Sequence, residues 1–125
     1  MRYNESILFY AFRYALGRST YAVDDVVSAI RGNYDHLDVH FRAKIVSEIN
    51  EQVDAFGKIG MECDTNQWLH LSSMLDGSRK VTLEAYNGDT DKWEKHQAYR
   101  HTDGLYYDYS MRVRNFHTVK NVENV

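Results

Sequence analysis

The apolar residues of this chain change period once, at Gly77, and that change limits the folds open to it. Before Gly77 they recur every three or four residues, and after it they alternate. A period near 3.6 lays an apolar stripe along a helix, and a period of 2 lays one along a strand face. A chain that uses first one and then the other predicts an α+β protein, helices followed by an antiparallel sheet.

Four helices are predicted. The first, 4–16, opens on Asn4, a good cap, and keeps Ile7, Leu8, Ala11, Phe12, Ala15 and Leu16 in helical spacing. Phe9, Tyr10 and Tyr14 fill its other sides, and a helix apolar on most sides is expected at the centre of its bundle. The second, 20–31, carries Val23, Val26, Val27 and Ile30, with Gly32 as its stop. The third, 38–55, sets Phe41, Ile45, Ile49 and Val53 on one face, before Gly57 and Gly60 punctuate a turn. The fourth begins at Asp64 or Thr65 and aligns Trp68, Leu71 and Leu75. Phe12, Leu16, Val27, Ile45, Ile49, Trp68 and Leu71 are the expected helical core.

Beyond Gly77, Val81, Leu83 and Ala85 alternate with Thr82, Glu84 and Tyr86, the pattern of a strand. Asn87 to Asp91 reads as a hairpin loop, 92–101 as a second strand, and Asp103–Gly104 as a tight turn. Leu105, Tyr107, Tyr109, Met111 and Val113 alternate through 105–114, predicting a third strand with that parity against the helices. Residues 119–125 read as a loose tail or a short edge element. The expected architecture is a helical part, 1–77, packed as one unit on a three-stranded meander, 78–125, with a loose end.

A chain of 125 residues suits one domain that can bury a core without staples. The single cysteine, Cys63, fits a reducing compartment, and no leader of basic then apolar residues is visible. The longest apolar stretch, 7–16, is far short of a membrane span and is interrupted by Arg13. A cytoplasmic protein without membrane contact is the expectation. Net charge is −3, with −4 up to Gly77 and +1 after it. An acidic helical half argues against direct nucleic-acid binding, because phosphate contacts need clustered Lys and Arg.

Chemistry-bearing residues are present without the spacing that chemistry needs. His36 and His40 are four apart, but the third helix begins between them, and no HExxH pattern occurs. His96 and His101 have opposite parity on one strand, and His117 lies beyond without a carboxylate motif. Asp24 and Asp25 point about 100 degrees apart on a helix and serve better as first-turn acids than as metal ligands. Cys63 has no nucleophile motif around it, and Met61 suggests a packed neighbourhood. No phosphate-binding glycine loop occurs. No catalytic residue, metal or cofactor is therefore expected.

The stretch 12–27, FRYALGRSTYAVDDVV, reads as helix, stop, start, helix, with Gly17 suited to a left-handed helix end and Thr20 to a cap. It resembles a segment of small bacteriophage and prophage proteins with no assigned activity, and the resemblance extends more weakly from Ile45 to Leu75. Within it, Arg18 is expected to pair with Asp24 or Asp25, and Arg13 with an acid on the third helix. The resemblance implies a phage source and, with it, a non-enzymatic protein that binds a host protein or complex in the bacterial cell. An inhibitor of a defence system, of the anti-CRISPR or anti-restriction type, is one such protein. A nucleic-acid-binding accessory protein and a small enzyme with a histidine or carboxylate site are the alternatives, and a homo-oligomer is compatible with either binding role. The expected partner surface is the outward parity of the third strand, Tyr106, Arg112 and Arg114, beside Arg100 across the hairpin. Exposed Tyr and Arg are the side chains that dominate binding hot spots.

Overall fold

The computed structural model describes residues 4–17, 20–109 and 114–125, with backbone only at 20 and 21. Four helices come first: α1 (Glu5–Leu16), α2 (Thr20–Gly32), α3 (Val39–Phe56) and α4 (Glu62–Leu75). Four strands follow: β1 (Lys80–Asn87), β2 (Lys92–Arg100), β3 (Tyr106–Asp108) and β4 (Val119–Asn124). The class is α+β as the change of period predicts, with one strand more than the expected meander.

Local chemistry explains the helix ends. The Asn4 side chain accepts from the N–H groups of Ser6 (2.9 Å) and Ile7 (3.4 Å), and Asp38 caps α3 by accepting from His40 N–H (2.9 Å). Gly57 ends α3 at φ +72°, where a side chain would be strained. Gly17 does not play that part, since its φ is −106°; the stop between α1 and α2 is not a left-handed cap. Thr20 is already the first residue of α2, so it does not stand before the helix as a cap. Helix α4 starts earlier than the sequence suggests, at Glu62, because Asp64 Oδ2 turns back to accept from Met61 N–H (3.2 Å).

All seven expected core residues are buried, and Phe12 meets Trp68 edge-on with ring centroids 5.5 Å apart. The central helix, however, is α4 and not α1. From Trp68 to Leu75 only Leu69 is less than fully buried, with α2 and α3 on one side and β2 on the other. Helix α1 lies at the surface and leaves Ile7, Tyr10 and Tyr14 at 67, 75 and 51 % exposure. The sequence holds the sign of this difference: residues 65–75 contain no Asp, Glu, Lys or Arg. A helix buried all round cannot place charges, whereas aromatic residues can stand in water.

The sheet runs β3-β2-β1-β4 and is antiparallel throughout. Of the two readings of 119–125, the short edge element holds and the loose tail does not: β4 pairs along the free edge of β1, from Ala85↔Val119 to Val81↔Asn124. Of the predicted third strand, β3 covers only Tyr106–Asp108, and Met111 and Val113 lie outside the described residues. Asn115 lies in an antiparallel bridge with Tyr107, and Phe116 N–H donates to the Tyr106 carbonyl (2.9 Å), which a continuous strand excludes. The chain that pairs with β3 at Asn115 pairs with β1 from Val119, so one segment holds both edges of the meander. The sheet therefore has a core of its own. Val81, Leu83, Ala85 and Ala98 are buried on one face, packed against Tyr106, Phe116 and Val119. The other face meets the helices only at one end, where Met74 packs with Tyr99 and Tyr107.

Candidate functional site

The two faces of the sheet decide where each expected partner-binding residue sits. Register places Arg100 opposite Tyr106, and Tyr99 opposite Tyr107. Alternation then puts Tyr107 and Tyr99 against the helices, as predicted for that parity, although Leu105 stands exposed in the turn. Tyr106 belongs to the parity of Val81 and Ala98, which is an interior and not an open face. It is half-buried against that cluster, a correction to its expected exposure. A second layer from the 114–119 segment is the cause. Arg100 and Arg114 are exposed, and Arg112 lies outside the described residues.

Where α4 crosses the sheet, buried polar groups converge. The rings of His70 and His101 stack with centroids 3.8 Å apart and planes 12° apart. Tyr107 meets both rings edge-on, at 4.5 and 5.5 Å. His70 Nδ1 lies 3.1 Å from the Tyr99 hydroxyl, and His101 Nδ1 lies 3.3 Å from the Ser73 hydroxyl. Burial, then the neighbouring His101 and Arg31, lowers the His70 pKa to about 4. Burial lowers His101 too, against the opposing pull of Asp103. Burial pushes Tyr99 upward, so at neutral pH its hydroxyl stays protonated and shares a hydrogen bond with His70 Nδ1. Burial alone would raise Asp103, but hydrogen bonds from Tyr107 (2.6 Å) and Leu105 N–H (2.8 Å), with the two histidines, hold its carboxyl below the usual range. Burial and then Asp103 push Tyr107 up to about 12.

Serine, histidine and aspartate within one network suggest nucleophilic chemistry, but a nucleophile must reach substrate. Ser73 is 2 % exposed and His101 4 %, inside the junction. The arrangement joins two parts of the fold through the His70–Tyr99 and Ser73–His101 hydrogen bonds. Sequence reading missed it because His70 sits among apolar neighbours on α4, where a helical stripe masks it; the charge-free run 65–75 was its only signal.

The remaining candidates stay apart. His36 and His40 are exposed on a short 3-10 turn and on α3. His96 is exposed beside Phe116, on the opposite face to buried His101. Cys63 and Met61 are both exposed, so the thiol is not in a packed neighbourhood. Among the described residues no three His, Cys, Asp or Glu groups are placed to hold a metal ion, and no helix is long and apolar enough to cross a membrane. Arg13 Nη1 does pair with Glu48 Oε1 on α3 (3.1 Å), as expected, while Arg18 lies outside the described residues.

No protein-family model, curated protein or solved structure matches the chain. The functional reading therefore rests on its own surfaces. Ile7, Tyr10 and Tyr14 follow i, i+3, i+7 spacing and form one outward stripe on α1. On the sheet, Tyr86 and Trp93 are exposed as a cross-strand pair with centroids 5.6 Å apart, and Lys120 Nζ stands 4.1 Å over the Trp93 ring.

Proposed function

We propose that this protein acts by binding a host protein or protein complex within the bacterial cell, not by catalysis, and that α1 carries the contact. The supporting observation is the exposed stripe Ile7, Tyr10 and Tyr14. Holding three large apolar side chains in water on one helical face is unfavourable, and such patches mark interaction sites in soluble proteins. Tyrosine contributes a large contact area with few torsions to freeze, which suits it to a hot spot. The surrounding helical half carries a net −4, so a partner groove with a basic rim complements it and accelerates encounter. A nucleic-acid channel on a defence complex has that rim, and occupying it is the inhibitory role that the phage resemblance implies.

The test is capture from host lysate with the intact protein and with Tyr10→Ala/Tyr14→Ala, followed by titration against the captured protein. Loss of about 2 kcal/mol or more of binding with an unchanged melting temperature supports the reading. Equal affinity of both proteins for the same partner removes α1 from it.

A second reading, a nucleic-acid-binding accessory protein, is favoured by Tyr86 and Trp93 beside Lys120, since aromatic side chains flanked by lysines stack on bases. Glu84 and Asp91 dilute the positive charge there: Glu84 stands opposite both Lys95 and Lys120, and Asp91 accepts from the Tyr86 hydroxyl. A sub-micromolar complex with DNA or RNA, weakened steeply by salt and lost in Trp93→Ala and Lys120→Ala, would favour this reading over the first.

A further inference from the structure

Two depressions meet at Tyr34 and Lys80, on a face that neither functional reading uses. One, of about 460 Å³, lies between α3 and the end of α4 and is lined by the apolar side chains of Val46 and Leu75, with Val39 and Arg42 beside them. The other, of about 470 Å³, is polar and is lined by Arg31, Gln97 and Tyr109. Volumes in this range hold small organic ligands.

We propose that the first depression binds a small organic anion with an apolar body, of the medium-chain carboxylate class, its head group meeting Arg42 and Lys80. Val39 is 61 % exposed at the mouth, so apolar area stands open to water beside the cations. The Arg42 guanidinium is held in place, its carbon 4.9 Å from the centroid of the Tyr34 ring, and its Nε is buried with no hydrogen-bond partner among the described residues. That Nε is shut off from solvent, so the guanidinium would meet an anion at this wall through its Nη groups. Lys80 has no ion pair among the described residues; its ammonium leans over the Tyr109 ring at 5.9 Å. The acid that shares the lining, Asp76, is already engaged: it accepts from Ser78 N–H (3.0 Å) and Ser78 Oγ (2.7 Å) and faces Arg79 Nε at 3.8 Å. The chain as a whole is acidic, so two cations beside an apolar lining are a local inversion of its charge, and they select an anion over a neutral or cationic amphiphile.

The experiment is an amide-resolved NMR titration of the whole protein with decanoate below its micelle concentration, with acetate and decyltrimethylammonium as controls. Decanoate is expected to shift amides of α3 near Val39 to Val46 and of β1 at Lys80, while neither control does so. Lys80→Gln, at a half-exposed site, and Arg42→Gln are each expected to weaken binding by about tenfold, and Val46→Asp to abolish it. Arg42→Gln could also disturb packing on Tyr34, so Lys80→Gln decides the matter if that variant is unfolded. The proposal is overturned if decanoate shifts other residues only, if acetate or the cation shifts the same amides, or if Lys80→Gln binds like the parent. None of these outcomes bears on the α1 stripe, which lies on a different helix.

Discussion

The imidazole rings of His70 and His101 lie face to face 3.8 Å apart, one from the central helix and one from the last turn of the hairpin, and both are buried. Two neutral rings stack without penalty, but a proton on either meets desolvation, and protons on both meet each other. The groups facing them are Arg31 from α2, Arg79 before β1, Ser73 on α4, Tyr99 on β2, Tyr107 on β3 and Asp103 in the turn. Of these only Asp103 favours protonation, and it is shared with the Tyr107 hydroxyl.

Stability is therefore expected to fall in mild acid. The folded-state pKa of His70 is about 4 against an unfolded 6.5, so the unfolded chain takes up protons first as pH drops. The contribution is complete above pH 6.5 and lost progressively down to about pH 4, a span worth up to about 3 kcal/mol for His70 alone. Denaturant unfolding at stepped pH measures it, and His70→Gln should flatten the curve across that window. A parent protein equally stable at both ends of the window refutes the account.

Tyr99→Phe removes the hydroxyl that hydrogen-bonds to His70 Nδ1 and leaves a buried ring nitrogen without that partner. A loss of about 1–3 kcal/mol at neutral pH is expected, measured by chemical denaturation. An unchanged midpoint would mean that the bond adds nothing to the junction.

Truncating Tyr106 to Ala should destabilise the protein by about 1–3 kcal/mol, because it uncovers Val81, Leu83 and Ala98. Arg100→Ala and Arg114→Ala, at exposed positions, should stay within about 0.5 kcal/mol. Thermal melts of the three variants separate the interior position from the two surface ones; a silent Tyr106→Ala would return that residue to the surface.

Ile49→Ala, at a site with no exposure, should cost about 2–5 kcal/mol, whereas Tyr10→Ala should cost almost nothing. Similar melting temperatures for these two variants would contradict the placing of α1 at the surface.

Three glycines should respond differently to alanine. Gly60 has φ +64°, and an added Cβ would stand 2.8 Å from Asp64 Oδ2, the oxygen that ties the start of α4. Gly57 has φ +72° but open space. Gly32 has open space and lies in the last turn of α2. Gly60→Ala is expected to be the most costly, Gly57→Ala to lose about 1 kcal/mol, and Gly32→Ala to be neutral or stabilising. Any other order, read from melting temperatures, contradicts the backbone described.

The division into helices and then strands was legible because periodicity reports which face is buried, and the seven helical core residues follow from it. The burial of α4 was legible in principle from its missing charges, but its moderate apolar content concealed it beside the aromatic α1. The sheet was harder. Alternation at Val81–Leu83–Ala85 and at Tyr107–Tyr109 says that each parity is buried, yet not by what. Here one parity is covered by the chain's own 114–119 segment and the other by helices, a long-range choice that no local pattern encodes. The polar junction depends on the pairing of His70 with His101, 31 positions apart, and was invisible for the same reason.

The segment that holds both edges of the meander also sets an order of assembly. Each residue of the helical core lies at or before Leu75, so that part can fold as it leaves the ribosome, ahead of the sheet. Val81, Leu83 and Ala85 cannot be covered until Phe116 and Val119 have been made, more than thirty residues later. During that interval the nascent hairpin presents an apolar face and an unpaired β1 edge to its surroundings. Synthesis, not the finished fold, is then the stage at which this protein is most exposed to aggregation and proteolysis.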